Sequence, residues 1–114
     1  MKLTDVVPNF KQYIKENSDV FPETLNKIIL FGSYAKGNPR VSSDLDIALI
    51  SGHTWHYSDK HDLIDLFEDF DSSIKISPFF TTKIKISVTE DKFDANYWIR
   101  EEGVLLWEKL PTSI

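Results

Sequence analysis

Two short apolar runs separated by a polar loop constrain this chain most. Lys27-Ile28-Ile29-Leu30-Phe31 stops at Gly32, and Asp44-Leu45-Asp46-Ile47-Ala48-Leu49-Ile50 is broken by Ser51-Gly52. Apolar runs of this length, bounded by turn residues, read as buried strands. Between them, Gly32 to Ser43 is rich in Gly, Asn, Pro and Ser and reads as a loop. Two carboxylates open the second run. Strand residues two apart share a face about 6.5–7 Å apart. Asp44 and Asp46 therefore aim at one spot, while Leu45 and Ile47 enter the opposite core.

The flanking segments supply helices. Asp5 caps a helix running to about Asn17, with Pro8 in its first turn, where a missing N–H does no harm. Val6, Val7, Phe10, Tyr13 and Ile14 form its apolar face. Ser58 or Asp59 caps a second helix to about Phe70, with Leu63, Ile64, Phe67 and Phe70 inward and Asp62, Asp65, Glu68 and Asp69 toward water. Alternation at Ile74 and Ile76, and after Pro78 at Ile84, Ile86 and Val88, predicts one or two strands. Pro78, lacking an N–H, points to an edge or irregular strand. A last helix from about Asp91 to Glu102 ends at Gly103, read as a left-handed cap. Val104 to Trp107 closes the sheet as an edge strand, and Pro111 onward is expected to fray. This order implies an α+β fold, a mixed β-sheet with helices packed on it. Nothing divides residues 1–114, so a single domain is expected.

Composition narrows the chemistry. Across 114 residues, 41% are apolar and 13% aromatic, enough for one core. There is no cysteine, which excludes disulfides, thiolate metal sites and cysteine nucleophiles. The start of the chain, with Lys2, Asp5, Pro8 and Asn9, does not read as a secretory signal, and no apolar stretch is long enough to span a bilayer. Cytoplasmic localisation, away from membranes, is the expectation. Thirteen Lys and Arg against eighteen Asp and Glu give a formal charge of −5, which argues against nucleic-acid binding by this chain alone.

Two carboxylates at strand spacing can hold one or two Mg²⁺ ions whose other ligands are waters and substrate phosphates. Gly32 ends the preceding strand where a backbone free of Cβ allows a phosphate close approach, and consecutive N–H groups there can form an anion nest. Taken singly, Gly-Ser and Asp-x-Asp are ordinary turn chemistry. Their joint presence, Gly32-Ser33, ten residues, then Asp44-Leu45-Asp46, is the informative pattern.

That pattern resembles the minimal nucleotidyltransferases of the DNA polymerase β superfamily, whose motif is Gly-Ser, ten residues, Asp-x-Asp. Ala35-x-Gly37, Ser43 before Asp44, and the ending Glu101-Glu102-Gly103-Val104-Leu105-Leu106-Trp107-Glu108 also match. The resemblance implies a polymerase β palm-like fold. It implies Asp44 and Asp46 as catalytic metal ligands in a two-metal Mg²⁺ site. Gly32 and Ser33 would hold the triphosphate of a nucleoside triphosphate, Lys36 would be a secondary phosphate contact, and Ser43 a nucleotide-site residue. The implied reaction moves a nucleoside monophosphate, AMP from ATP, onto an acceptor. It also implies a separate helical HEPN-type partner protein, with the transferase acting as its antitoxin. An oligomer is compatible with this.

One departure stands out. The family's third carboxylate falls at Ser77 when the apolar alternation is aligned, and no carboxylate occurs between Asp71 and Glu90. A catalytically weak or inactive nucleotide-binding or partner-binding module is therefore the alternative. Asp71 would serve as the third acid only if the strand began earlier. His53, His56 and His61 read as exposed loop histidines instead of a metal site. Trp98, Trp107, Tyr97, Phe79 and Phe80 read as packing residues.

Overall fold

In the computed structural model, which describes residues 1–110, the two apolar runs are the central strands of a four-stranded sheet. β1 (Leu25–Phe31) lies antiparallel to β2 (Leu45–Ser51), β3 (Ile76–Thr82) runs parallel to β2, and β4 (Val104–Glu108) lies antiparallel to β1. The order β3-β2-β1-β4 makes β3 and β4 the edges, so Pro78 sits on an edge strand as its missing N–H requires. The sheet is mixed, with helices on both faces.

One face is covered by α1 (Leu3–Asn17) and α3 (Tyr57–Glu68). Val6, Phe10, Ile14, Leu63 and Phe67 pack there against Leu30, Leu45, Ile47 and Leu49, all essentially excluded from water. Full burial of each such side chain contributes about 1.5–3 kcal/mol. Phe10 meets Phe70 edge-on at 5.1 Å, and the Tyr13 hydroxyl donates to the Leu66 carbonyl at 2.5 Å, tying α1 to α3. α1 starts at Leu3, with Lys2 at its cap and no side-chain cap bond. Asp5 is therefore in the first turn, not the cap, and Pro8 lies one turn deeper than expected. α3 likewise begins early, at Tyr57 with His56 at its cap and no side-chain cap bond; Asp59 lies inside its first turn and accepts from Thr24 Oγ1.

The other face carries α4 (Lys83–Val88) and α5 (Ala95–Glu102) over a smaller cluster of Ala48, Ile50 and Ile99. The strand expected from Ile84, Ile86 and Val88 is α4. Thr82 caps it by accepting from Lys85 N, and helical geometry turns Ile84 and Val88 outward while Ile86 packs on the cluster. α5 starts at Ala95 under an Asp94 cap, later than the expected Asp91. Gly103 follows it with extended backbone (φ −67°, ψ 148°), not left-handed. The glycine is needed for a different reason: a Cβ there would overlap the Ile99 carbonyl and the Ile29 side chain. The tail predicted from Pro111 lies outside the described residues.

Candidate active site

Antiparallel β1 and β2 bring the end of β1 beside the start of β2, and parallel β3 begins at the same end. Asp46 thus lies between Phe31 on one neighbour and Ser77 on the other. Gly32 follows Phe31 at the start of α2 (Gly32–Ala35), a helical turn inside what the sequence presents as loop. Its φ of +75° lies in the left-handed region, and a Cβ would overlap Asp46 Oδ2. Glycine is thus required twice over. Its immediate neighbour is the Asp46 carboxylate, a contact the sequence reading did not foresee.

Asp46 shares its strand face with Ala48 and Ile50, the side covered by α5. Partial burial pushes its carboxyl pKa above the usual range, and the like charge of Asp44 adds to the shift. Asp44 lies one residue before β2 and is more open; Lys75 Nζ is 3.9 Å from its Oδ2, an exposed pairing of small energetic weight. The backbone is anchored here by Leu45 N donating to the Lys75 carbonyl at 2.8 Å. Two neighbouring carboxylates whose repulsion is only weakly relieved fit a divalent cation. Among the described residues no cluster of three or more His, Asp or Glu gathers, so protein ligands at this spot would number two, with phosphate and water completing the shell.

The remaining sequence-predicted residues divide. Ser33 follows Gly32 in α2 and is half-buried. Lys36 caps that turn, with Nζ 3.8 Å from Glu102 Oε2 in an exposed pair that leaves it free to exchange partners. Ser43 is engaged locally, its Oγ accepting from Arg40 N at 2.8 Å and its N–H donating to the Arg40 carbonyl. Ser77 pairs in register with Asp46, as the alternation predicts, and offers a hydroxyl where a third acid would face the site. Asp71 is in the turn before β3, where the Ser73 hydroxyl and N–H hold its carboxyl below the usual range. His53 and His56 are exposed near the opposite end of β2, and His61 pairs with Asp65 on α3.

Sequence reasoning passed over Phe93 and read Trp98 as a packing residue. Both line a cleft with Gly32, Lys36 and Lys92 between α2 and α5, and neither is core. The available signal was an aromatic residue in a polar turn ahead of a helix.

Comparison with known proteins agrees with this arrangement. The model of the family described as polymerase beta, nucleotidyltransferase matches residues 9–111. A candidate protein adenylyltransferase of Methanocaldococcus jannaschii is 29% identical over 94 residues, covering 80% of this chain and 92% of that protein. A toxin–antitoxin complex with AMP-PNP superposes with a TM-score of 0.59 at 18% identity, over 90% of this chain and 73% of the matched chain. A candidate nucleotidyltransferase from Sulfolobus solfataricus gives 0.58 at 17% identity, over 94% and 84%. A mutant of the MntA–HpeT toxin–antitoxin pair gives 0.55 at 15%, over 96% and 75%. Motif, sheet order and family match converge: the chain belongs to the polymerase beta nucleotidyltransferase family.

Proposed function

We propose that this protein transfers AMP from ATP to a hydroxyl of a separate, helical HEPN-type partner protein, as the antitoxin of that partner. The observation that carries this reading is the convergence of Asp44, Asp46 and the left-handed Gly32 at one end of the sheet. The name of the M. jannaschii relative supports a protein acceptor, and the toxin–antitoxin neighbours, one of them with AMP-PNP, support the pairing.

In this reading Asp44 and Asp46 would hold Mg²⁺, which would supply charge neutralisation for the triphosphate. Gly32 and Ser33 cradle the β and γ phosphates through backbone N–H groups, and Lys36 adds a cationic contact. The partner's hydroxyl oxygen attacks the α-phosphorus in line, the bond to the β-bridging oxygen breaks, and pyrophosphate leaves. Positioning and electrostatics carry most of such a reaction. The hydroxyl proton goes to solvent, since Ser77 cannot accept it at neutral pH.

A second reading is favoured by Ser77 itself, in register with Asp46. A nucleotide-binding module without turnover would show the same binding and no transfer. Calorimetry with Mg²⁺ and ATP, followed by intact-mass analysis of the partner, separates the two. Transfer adds one AMP mass to the partner, and Asp44→Asn or Asp46→Asn abolishes both binding and transfer. Undiminished binding in those variants would overturn the site, and binding without added mass would select the module.

A further inference from the structure

We propose that the cleft between α2 and α5 holds the base of the nucleotide, stacked on Phe93 and Trp98. This rests on the reading of Gly32-Ser33 as the phosphate cradle. The cleft has a volume of about 460 Å³, within the range of small-ligand pockets. It borders that cradle through Gly32, which lines the cleft together with Lys36.

Phe93 is 100% exposed and lines the same cleft as the partly exposed Trp98, which makes the pair, not the single residue, the informative feature. Its turn is held firmly: Phe93 N donates to Asp91 Oδ1 at 2.9 Å, Asp94 N to the Asp91 carbonyl at 3.0 Å, and Trp98 Nε1 to the Lys92 carbonyl at 2.7 Å. The last bond fixes the Phe93 turn to the helix that carries Trp98. Trp98 is itself 39% exposed, and its ring forms a T-shaped pair with Tyr97, centroids 5.0 Å apart. Two aromatic rings thus border one cleft on fixed backbone, a platform that loses little entropy on ordering a planar ligand.

Charge supports the same occupant. Lys36 and Lys92 border the cleft, while Glu102, the acid among its lining residues, is already paired with Lys36. Lys36 close to Gly32 in the chain, and aromatic surface at Phe93 and Trp98 with Lys92 beside it, match a nucleotide, whose anionic and π-rich parts are separated. Stacking is tolerant of base identity, so this platform distinguishes a nucleotide from bare polyphosphate more than it distinguishes one base from another.

The test compares Mg²⁺-ATP with Mg²⁺-tripolyphosphate on the full chain. Phe93→Ala, which removes a side chain that holds nothing in place, is expected to weaken ATP roughly 5- to 100-fold and leave tripolyphosphate unchanged. Phe93→Trp should retain ATP affinity. ATP, but not tripolyphosphate, should quench tryptophan fluorescence, and Trp98→Phe should remove that response. Equal loss for both ligands in Phe93→Ala, or loss for neither, overturns the platform; loss for neither would assign the exposed aromatics to a macromolecular contact. If the parent binds neither ligand, the phosphate cradle itself falls, an outcome distinct from failure of the platform alone.

Discussion

The two faces of β2 are built differently. Leu45, Ile47 and Leu49 are sealed beneath α1 and α3 by a layer that includes Phe10, Phe67 and Phe70. Asp46, Ala48 and Ile50 face a smaller apolar cluster held largely by polar links. There the buried Thr81 hydroxyl donates to Asn96 Oδ1, and Arg100 donates to the Ile86 and Thr89 carbonyls at 2.7 and 2.9 Å. Apolar burial is strong but non-directional, and it fills space. Directional bonds can hold an element in place while leaving an open cleft beside a half-buried carboxylate. Stability is therefore concentrated on one face, and the room for a ligand on the other.

Breaking the thick face should have the largest effect. Phe10→Ala is expected to cost about 3–5 kcal/mol in urea unfolding, a large part of a small domain's stability. A loss below about 1 kcal/mol would show that the aromatic layer collapses around the gap and would weaken the contrast between the faces.

On the thin face, Asn96→Ala should cost about 1–3 kcal/mol by leaving the buried Thr81 hydroxyl without its acceptor. Asn96→Asp should recover part of this if the hydrogen bond, and not side-chain volume, is responsible.

Ser77→Asp sharpens the contrast within the site. A carboxylate in register with Asp46 should tighten Mg²⁺ by about tenfold, equivalent to roughly 1.4 kcal/mol, read by calorimetry, and lower the melting temperature without metal. Unchanged metal affinity would mean that position 77 does not face the carboxylates.

The smallest effect expected is a gain. Because burial and Asp44 raise the folded-state pKa of Asp46, the native state binds more protons than the unfolded state across the interval between the two values. Stability therefore falls as pH rises through that interval, from the ordinary carboxylate range upward, and the cost persists at neutral pH. Asp46→Asn should remove this pH dependence and raise the melting temperature at pH 7 by about 2–5 °C. A lower melting temperature would show that the carboxylate supports the fold instead of being tolerated by it.

The central strands, the neighbouring aspartates and the alignment of Ser77 with Asp46 were legible because each depends on short-range pattern. An apolar run bounded by glycine, side chains alternating along a strand, and a fixed spacing between motifs are properties of the chain itself. The elements misread share another cause. Ile84, Ile86 and Val88 alternate as a strand would, yet Thr82 caps a helix there. Exposed on α4, Ile84 and Val88 sit where no rule of alternation would put them.

By itself, then, the sequence determined a mixed sheet, the family, and two carboxylates beside a glycine turn. Tertiary structure alone decided what surrounds them. The role of Gly32 against Asp46, the need for glycine at 103, and the exposure of Phe93 beside Trp98 all depend on residues distant in the chain meeting in space. The physical reason is that backbone periodicity is local, whereas steric overlap, desolvation and exposure are set by which elements pack together.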